Sequence, residues 1–124
     1  MTDKPQNEEM NRILIVDDNI DMRSYISKLL NKFYIIDEAG NGIEALEKIS
    51  QNFPDLVLTD IMMPKMDGKE LLKKLRSDEN FSTIPVVFLS ARAGDDTKVE
   101  GLFMGADDYL VKPFTGNVTK NKIE

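Results

Sequence analysis

The sequence predicts an α/β fold: a parallel sheet with helices on both faces. Three observations lead there. Short apolar runs alternate with amphipathic stretches along the chain, joined by short connections. The runs are apolar throughout rather than at every second residue, as in strands buried on both faces. Finally, the runs end in chemically informative groups: Asp17 and Asp18, Asp60, Ser90 and Lys112. In a parallel sheet such ends share one edge, the edge where open α/β sheets bind ligands.

Taken in order, residues 1–11 read as a flexible, polar lead-in, and 12–124 as one domain. Arg12-Ile13-Leu14-Ile15-Val16 is the first strand, ending in Asp17-Asp18-Asn19. Met22, Tyr25, Ile26, Leu29, Leu30 and Phe33 recur at helical spacing. Asn19 is placed to cap that helix, and Asp21 complements its dipole. Phe33-Tyr34-Ile35-Ile36 is the second strand, broken by Gly40-Asn41-Gly42. Asn41 with Glu44 resembles a capping box, opening a helix that buries Ala45, Leu46 and Ile49.

Pro54 precedes the central strand, Leu56-Val57-Leu58-Thr59, which delivers Asp60 at its end. A turn closed by Asp67-Gly68 leads to a third helix carrying Leu71, Leu72 and Leu75, with Glu70 three residues after Asp67. Pro85 enters the fourth strand, Val86-Val87-Phe88-Leu89, which ends in Ser90. Gly94-Asp95-Asp96-Thr97 opens a fourth helix with Val99, Leu102 and Phe103, stopped by Gly105-Ala106. Asp108-Tyr109-Leu110-Val111 is the fifth strand. Beyond Phe114 only Val118 and Ile123 are apolar, so the fifth helix is expected to be short or truncated.

Composition narrows the chemistry. The 124 residues suit one domain, and a formal charge of −6 disfavours direct nucleic-acid binding. No apolar run approaches the roughly 20 residues of a membrane span, and the acidic N-terminus has no signal-peptide core. Cytoplasmic exposure, without membrane contact, is the expectation. The chain has no Cys and no His. Thiol nucleophiles, imidazole acid–base catalysis and the usual zinc sites are therefore excluded. Any phosphoryl group must sit on a carboxylate or hydroxyl.

Asp17, Asp18 and Asp60 on one sheet edge would repel one another. A divalent cation resolves the conflict, and all-oxygen ligands favour Mg²⁺, with the backbone carbonyl of Met62 as a further donor. That arrangement suits phosphoryl transfer to Asp60. Lys112 would supply a second positive charge, and Ser90 a hydroxyl donor to a phosphate oxygen.

The motifs ILIVDDN (13–19), DLVLTDIMMPKMDG (55–68), PVVFLSA (85–91) and GADDYLVKPF (105–114) resemble the receiver (response-regulator) domain of two-component signalling. The resemblance runs from about Asn11 to Phe114. It implies a flavodoxin-like (βα)5 doubly wound fold with strand order 2-1-3-4-5. Asp60 would be the phosphorylated aspartate, with Asp18 and the Met62 carbonyl directly on Mg²⁺ and Asp17 beside them. Ser90 would be the switch hydroxyl, Tyr109 the switch aromatic, and Lys112 the phosphate partner on a cis Lys112-Pro113 bond. The readout surface would be helix four, strand five and helix five.

The implied partner is a histidine kinase or a histidine phosphotransfer domain; the oligomeric state is left open. The domain by itself would assist only its own phosphorylation and dephosphorylation. The run LSARAGDDTKVEGLFMGADDYLVKPF also resembles receivers carried within hybrid sensor histidine kinases, where the parent chain would be the enzyme. A free-standing or DNA-binding response regulator is the alternative. A haloacid-dehalogenase-type phosphatase also uses an Asp nucleophile with Mg²⁺, but needs a second Asp where this chain has Met62.

Overall fold

One sheet of five parallel strands runs in the order β2-β1-β3-β4-β5. In chain order these are β1 (Arg12–Val16), β2 (Ile35–Ala39), β3 (Leu56–Asp60), β4 (Val86–Ser90) and β5 (Asp108–Val111). Helices α1 (Ile20–Leu30), α2 (Gly42–Gln51) and α3 (Gly68–Ser77) connect the first four strands. The computed structural model describes residues 11–90 and 108–111, of which Ser90 and 108–111 by their backbone alone. The predicted fourth and fifth helices, and the lead-in up to Met10, lie outside the described residues. No helix among those described is long and apolar enough to cross a membrane.

The two-residue period of the strands divides the core into two layers. Leu14, Val16, Val57, Val86 and Phe88 face α2 and α3, and pack with Ala45, Ile49, Leu71, Leu72 and Leu75. Ile13, Ile15, Leu58, Val87 and Leu89 face the other way, onto Ile26 and Leu30 of α1. Both faces of β1, β3 and β4 are thus covered, which is why these strands read as unbroken apolar runs.

Helix starts follow the sequence closely. The Asn19 side chain accepts from the Met22 N–H at 3.0 Å. Asp67 and Glu70 form a reciprocal capping box, at 2.9 and 3.3 Å. At α2 the box is altered. Asn41 accepts from the Glu44 N–H, but the Glu44 carboxylate takes the N–H of Gly40 rather than that of Asn41.

The second strand differs from the expectation. It begins at Ile35, not Phe33, and continues through Asp37 and Glu38 to Ala39. The N–H groups of Phe33 and Tyr34 both return to the Leu30 carbonyl, so these residues close α1 instead. Phe33 stands 45% exposed, as does Tyr25, so neither joins the buried stripe of α1. Two arginines make the acidic half of the strand tenable. Arg12 Nη1 donates to Asp37 Oδ2 at 2.7 Å, and Arg23 Nε to Glu38 Oε1 at 3.0 Å. Arg12 also sets the opposite flank, since its N–H meets Asp55 Oδ2 and its carbonyl accepts from the Asp55 N–H, both at 2.7 Å.

Candidate functional site

β1 and β3 are adjacent and in register, Val16 against Thr59, so both chains leave the sheet at one edge. The next residues outward are Asp17 and Asp60. Carboxylate oxygens of Asp17, Asp18 and Asp60 lie within 4.8 Å of one another. The three differ in setting: Asp17 is fully buried, Asp60 half-buried, and Asp18 exposed. Three hard oxygen donors graded from floor to rim fit a small divalent cation that keeps part of its water.

Asp17 is held at its N–H, its carbonyl and one carboxylate oxygen. Its N–H donates to the Ala39 carbonyl at 3.0 Å. Its Oδ1 accepts from the Asn19 N–H at 2.9 Å, and its carbonyl from Arg23 Nη1 at 2.7 Å.

Asp60 is held with equal care. Its Oδ1 accepts from the Ile61 N–H at 2.8 Å. The buried Thr59 hydroxyl donates to the Asp60 carbonyl at 2.9 Å. Gly68 packs on that same carbonyl. A β-carbon at Gly68 would sit 2.2 Å from the Asp60 oxygen, and the Gly68 N–H donates to the Ile61 carbonyl at 2.8 Å. This glycine is therefore set by close approach to the acidic residue, beyond the turn that Asp67-Gly68 suggested.

Between them, Ile61 turns inward while the Met62 side chain is 76% exposed. Lys65 adopts φ 68°, and the Met66 N–H returns to the Pro64 carbonyl at 2.7 Å. The loop is moored at its far side, where the Gly42 N–H donates to the Met66 carbonyl at 2.9 Å. A β-carbon on Gly42 would meet the Met66 side chain at 2.6 Å.

Ser90 ends β4, one residue beyond the Asp60–Leu89 pair, and its backbone is in register with Val111. Tyr109 is paired with Phe88 on β5. Their side chains, and Lys112 and Pro113 with the bond between them, lie outside the described residues. The structure thus brings together Asp17, Asp18 and Asp60, with Met62 two residues beyond the last of them. Arg23, Thr59 and Gly68 are additions to the residues expected from sequence. Only Gly68 left a trace there, as a glycine directly after a helix cap.

The family described as "Response regulator receiver domain" matches residues 13–124. "Hybrid signal transduction histidine kinase D" of Dictyostelium discoideum is 43% identical over 83% of this chain, and the match covers 7% of that protein. "Chemotaxis protein CheY1" of Helicobacter pylori is 40% identical, over 91% of this chain and 94% of that one. Among solved structures, the Vibrio cholerae chemotaxis protein CheY4 superposes with a TM-score of 0.86 at 32% identity, covering 92% of this chain and 96% of that one. The chain spans less than half the length of several relatives it matches, including a CpxR homolog of Haemophilus influenzae, at 45%. A doubly wound sheet in the order 2-1-3-4-5, an acidic cluster on its carboxyl edge and a family match over nearly the whole length agree: the chain belongs to the response-regulator receiver domains of two-component signalling.

Proposed function

We propose that Asp60 is the phosphoacceptor of this receiver, within a unit spanning residues 12–124. The observation that carries the reading is the convergence of the Asp17, Asp18 and Asp60 carboxylates to within 4.8 Å on one sheet edge. Asp18, Asp60 and the Met62 carbonyl would hold Mg²⁺, with Asp17 beneath them. When bound, the ion neutralises charge on the carboxylates and on an incoming phosphoryl group. An Asp60 carboxylate oxygen forms the new bond to phosphorus as the phosphorus–nitrogen bond of a donor phosphohistidine breaks. The electron pair leaves with the imidazole. The Ile61 N–H keeps the carboxylate aimed along the edge while this happens.

The acyl phosphate adds about −1.5 to −2 charge. Ser90 and Lys112 would contact it in a way they cannot contact a free carboxylate. That difference shifts an existing equilibrium of the helix four, strand five and helix five face, with Tyr109 turning inward as Ser90 moves. The donor is a histidine kinase or histidine phosphotransfer domain. The likeness to hybrid kinase D supports a place within a hybrid sensor histidine kinase, at the cytoplasmic side of any membrane.

Acetyl phosphate with Mg²⁺ is expected to add one phosphoryl group, read by intact mass, and a chelator to prevent it. Lys112→Ala should leave Mg²⁺ affinity near wild type while weakening the response to phosphorylation. Labelling that proceeds equally in chelator contradicts the cation site, and collapse of Mg²⁺ affinity in Lys112→Ala contradicts the role given to that lysine.

A further inference from the structure

We infer that Arg23 is a positioning residue for the cation site, acting through the peptide that joins Asp17 to Asp18. The inference rests on the reading of Asp17, Asp18 and Asp60 as the site of Mg²⁺. Arg23 is the fourth residue of α1, and its own N–H closes the first turn by donating to the Asn19 carbonyl at 3.0 Å. Its side chain is largely covered. Nη1 donates to the Asp17 carbonyl at 2.7 Å, and Nε to Glu38 Oε1 at 3.0 Å. One guanidinium thus links α1, the end of β1 and the end of β2.

The Asp17 carbonyl and the Asp18 N–H belong to one planar unit. Holding the carbonyl therefore fixes the direction in which the chain enters Asp18. Asp18 is the less secured of the two, because it stands exposed at the bend between β1 and α1, whereas Asp17 is buried and bonded at N–H, carbonyl and Oδ1. A planar fork suits the task, since it can satisfy two acceptors at once in a fixed relation. A lysine offers one compact charge on a flexible stem.

The sign of the effect separates positioning from charge. Arg23 is a cation close to a cation site. Judged by charge alone, its removal should tighten Mg²⁺ binding. Judged by position, its removal should loosen binding, because Asp18 is no longer aimed. Losses of outer-shell partners in metal sites are typically about 10- to 100-fold in affinity.

The test is calorimetric titration of MgCl2 into the wild type, Arg23→Gln and Arg23→Lys, with thermal unfolding in metal-free buffer alongside. Arg23→Gln is expected to weaken Mg²⁺ about 10- to 100-fold. Arg23→Lys, which keeps the charge and loses the fork, is expected to weaken it in the same direction, and it serves alone if Arg23→Gln does not fold. Unchanged or tighter Mg²⁺ affinity, even with a lowered melting temperature, overturns the inference. A wild type that takes up no Mg²⁺ overturns the cation-site reading itself, and this inference with it.

Discussion

Asp60→Asn is expected to take up no phosphoryl group from acetyl phosphate under conditions that label the wild type fully. The substitution is nearly isosteric, and the amide oxygen can still accept from the Ile61 N–H, so the bond at 2.8 Å need not be lost. What disappears is the nucleophile, because a neutral amide oxygen does not displace at phosphorus as a carboxylate does. The fold is expected to tolerate the change. Three carboxylates within 4.8 Å repel one another, and removing one charge relieves that conflict when no cation is present. The melting temperature in metal-free buffer should therefore hold or rise while labelling vanishes. Loss of labelling together with a large loss of stability would mean that the substitution had damaged the edge rather than the chemistry. Labelling that persists would move the acceptor to another residue.

Gly68→Ala is the second large effect, and it acts on the fold and the site together. The added methyl would fall 2.2 Å from the Asp60 carbonyl oxygen and 3.0 Å from the Ile61 α-carbon. Both obstacles are backbone, so neither can swing aside as a side chain could. Relief requires α3 to back away from β3, against Leu71, Leu72 and Leu75, all of which are fully buried. Overpacking of this kind costs about 1–3 kcal/mol. Urea unfolding should show that loss, and acetyl phosphate labelling of the folded fraction should slow, because the displaced atoms are those that aim Asp60. A variant as stable and as readily labelled as the wild type would show that the close approach is not needed.

These two residues mark what the sequence could and could not disclose. Asp60 was legible through its company: alone, an acid after an apolar run reads as a turn residue, but Asp17, Asp18, Ser90 and Lys112 end the neighbouring runs, and the alternation with helices brings those ends to one edge. The caps at Asn19 and Asp67 were legible for a similar reason, since each is satisfied by a residue three positions on. The limits of β2 were not. Asp37 and Glu38 look like loop residues until Arg12 and Arg23 are seen across from them. Those partners lie 25 and 15 residues away, and nothing in a single sequence pairs them. Phe33 failed in the opposite sense: it fits the period of α1, but the helix ends before reaching it. Gly68 and Gly42 carry contacts that exist only once α2, α3 and the loop between β3 and α3 have packed. Arg23 was hidden for the same reason. On sequence alone it is one more charged residue on a helix, and its role is set by a backbone carbonyl, which has no letter of its own.

Borohydride reduction identifies directly which residue accepts phosphorus. Borohydride converts an aspartyl phosphate to homoserine and leaves free carboxylates untouched. After exposure to acetyl phosphate and Mg²⁺, peptide sequencing by mass spectrometry should find homoserine at position 60 and aspartate at positions 17 and 18. Homoserine at either of those two positions, with position 60 unchanged, would contradict the assignment.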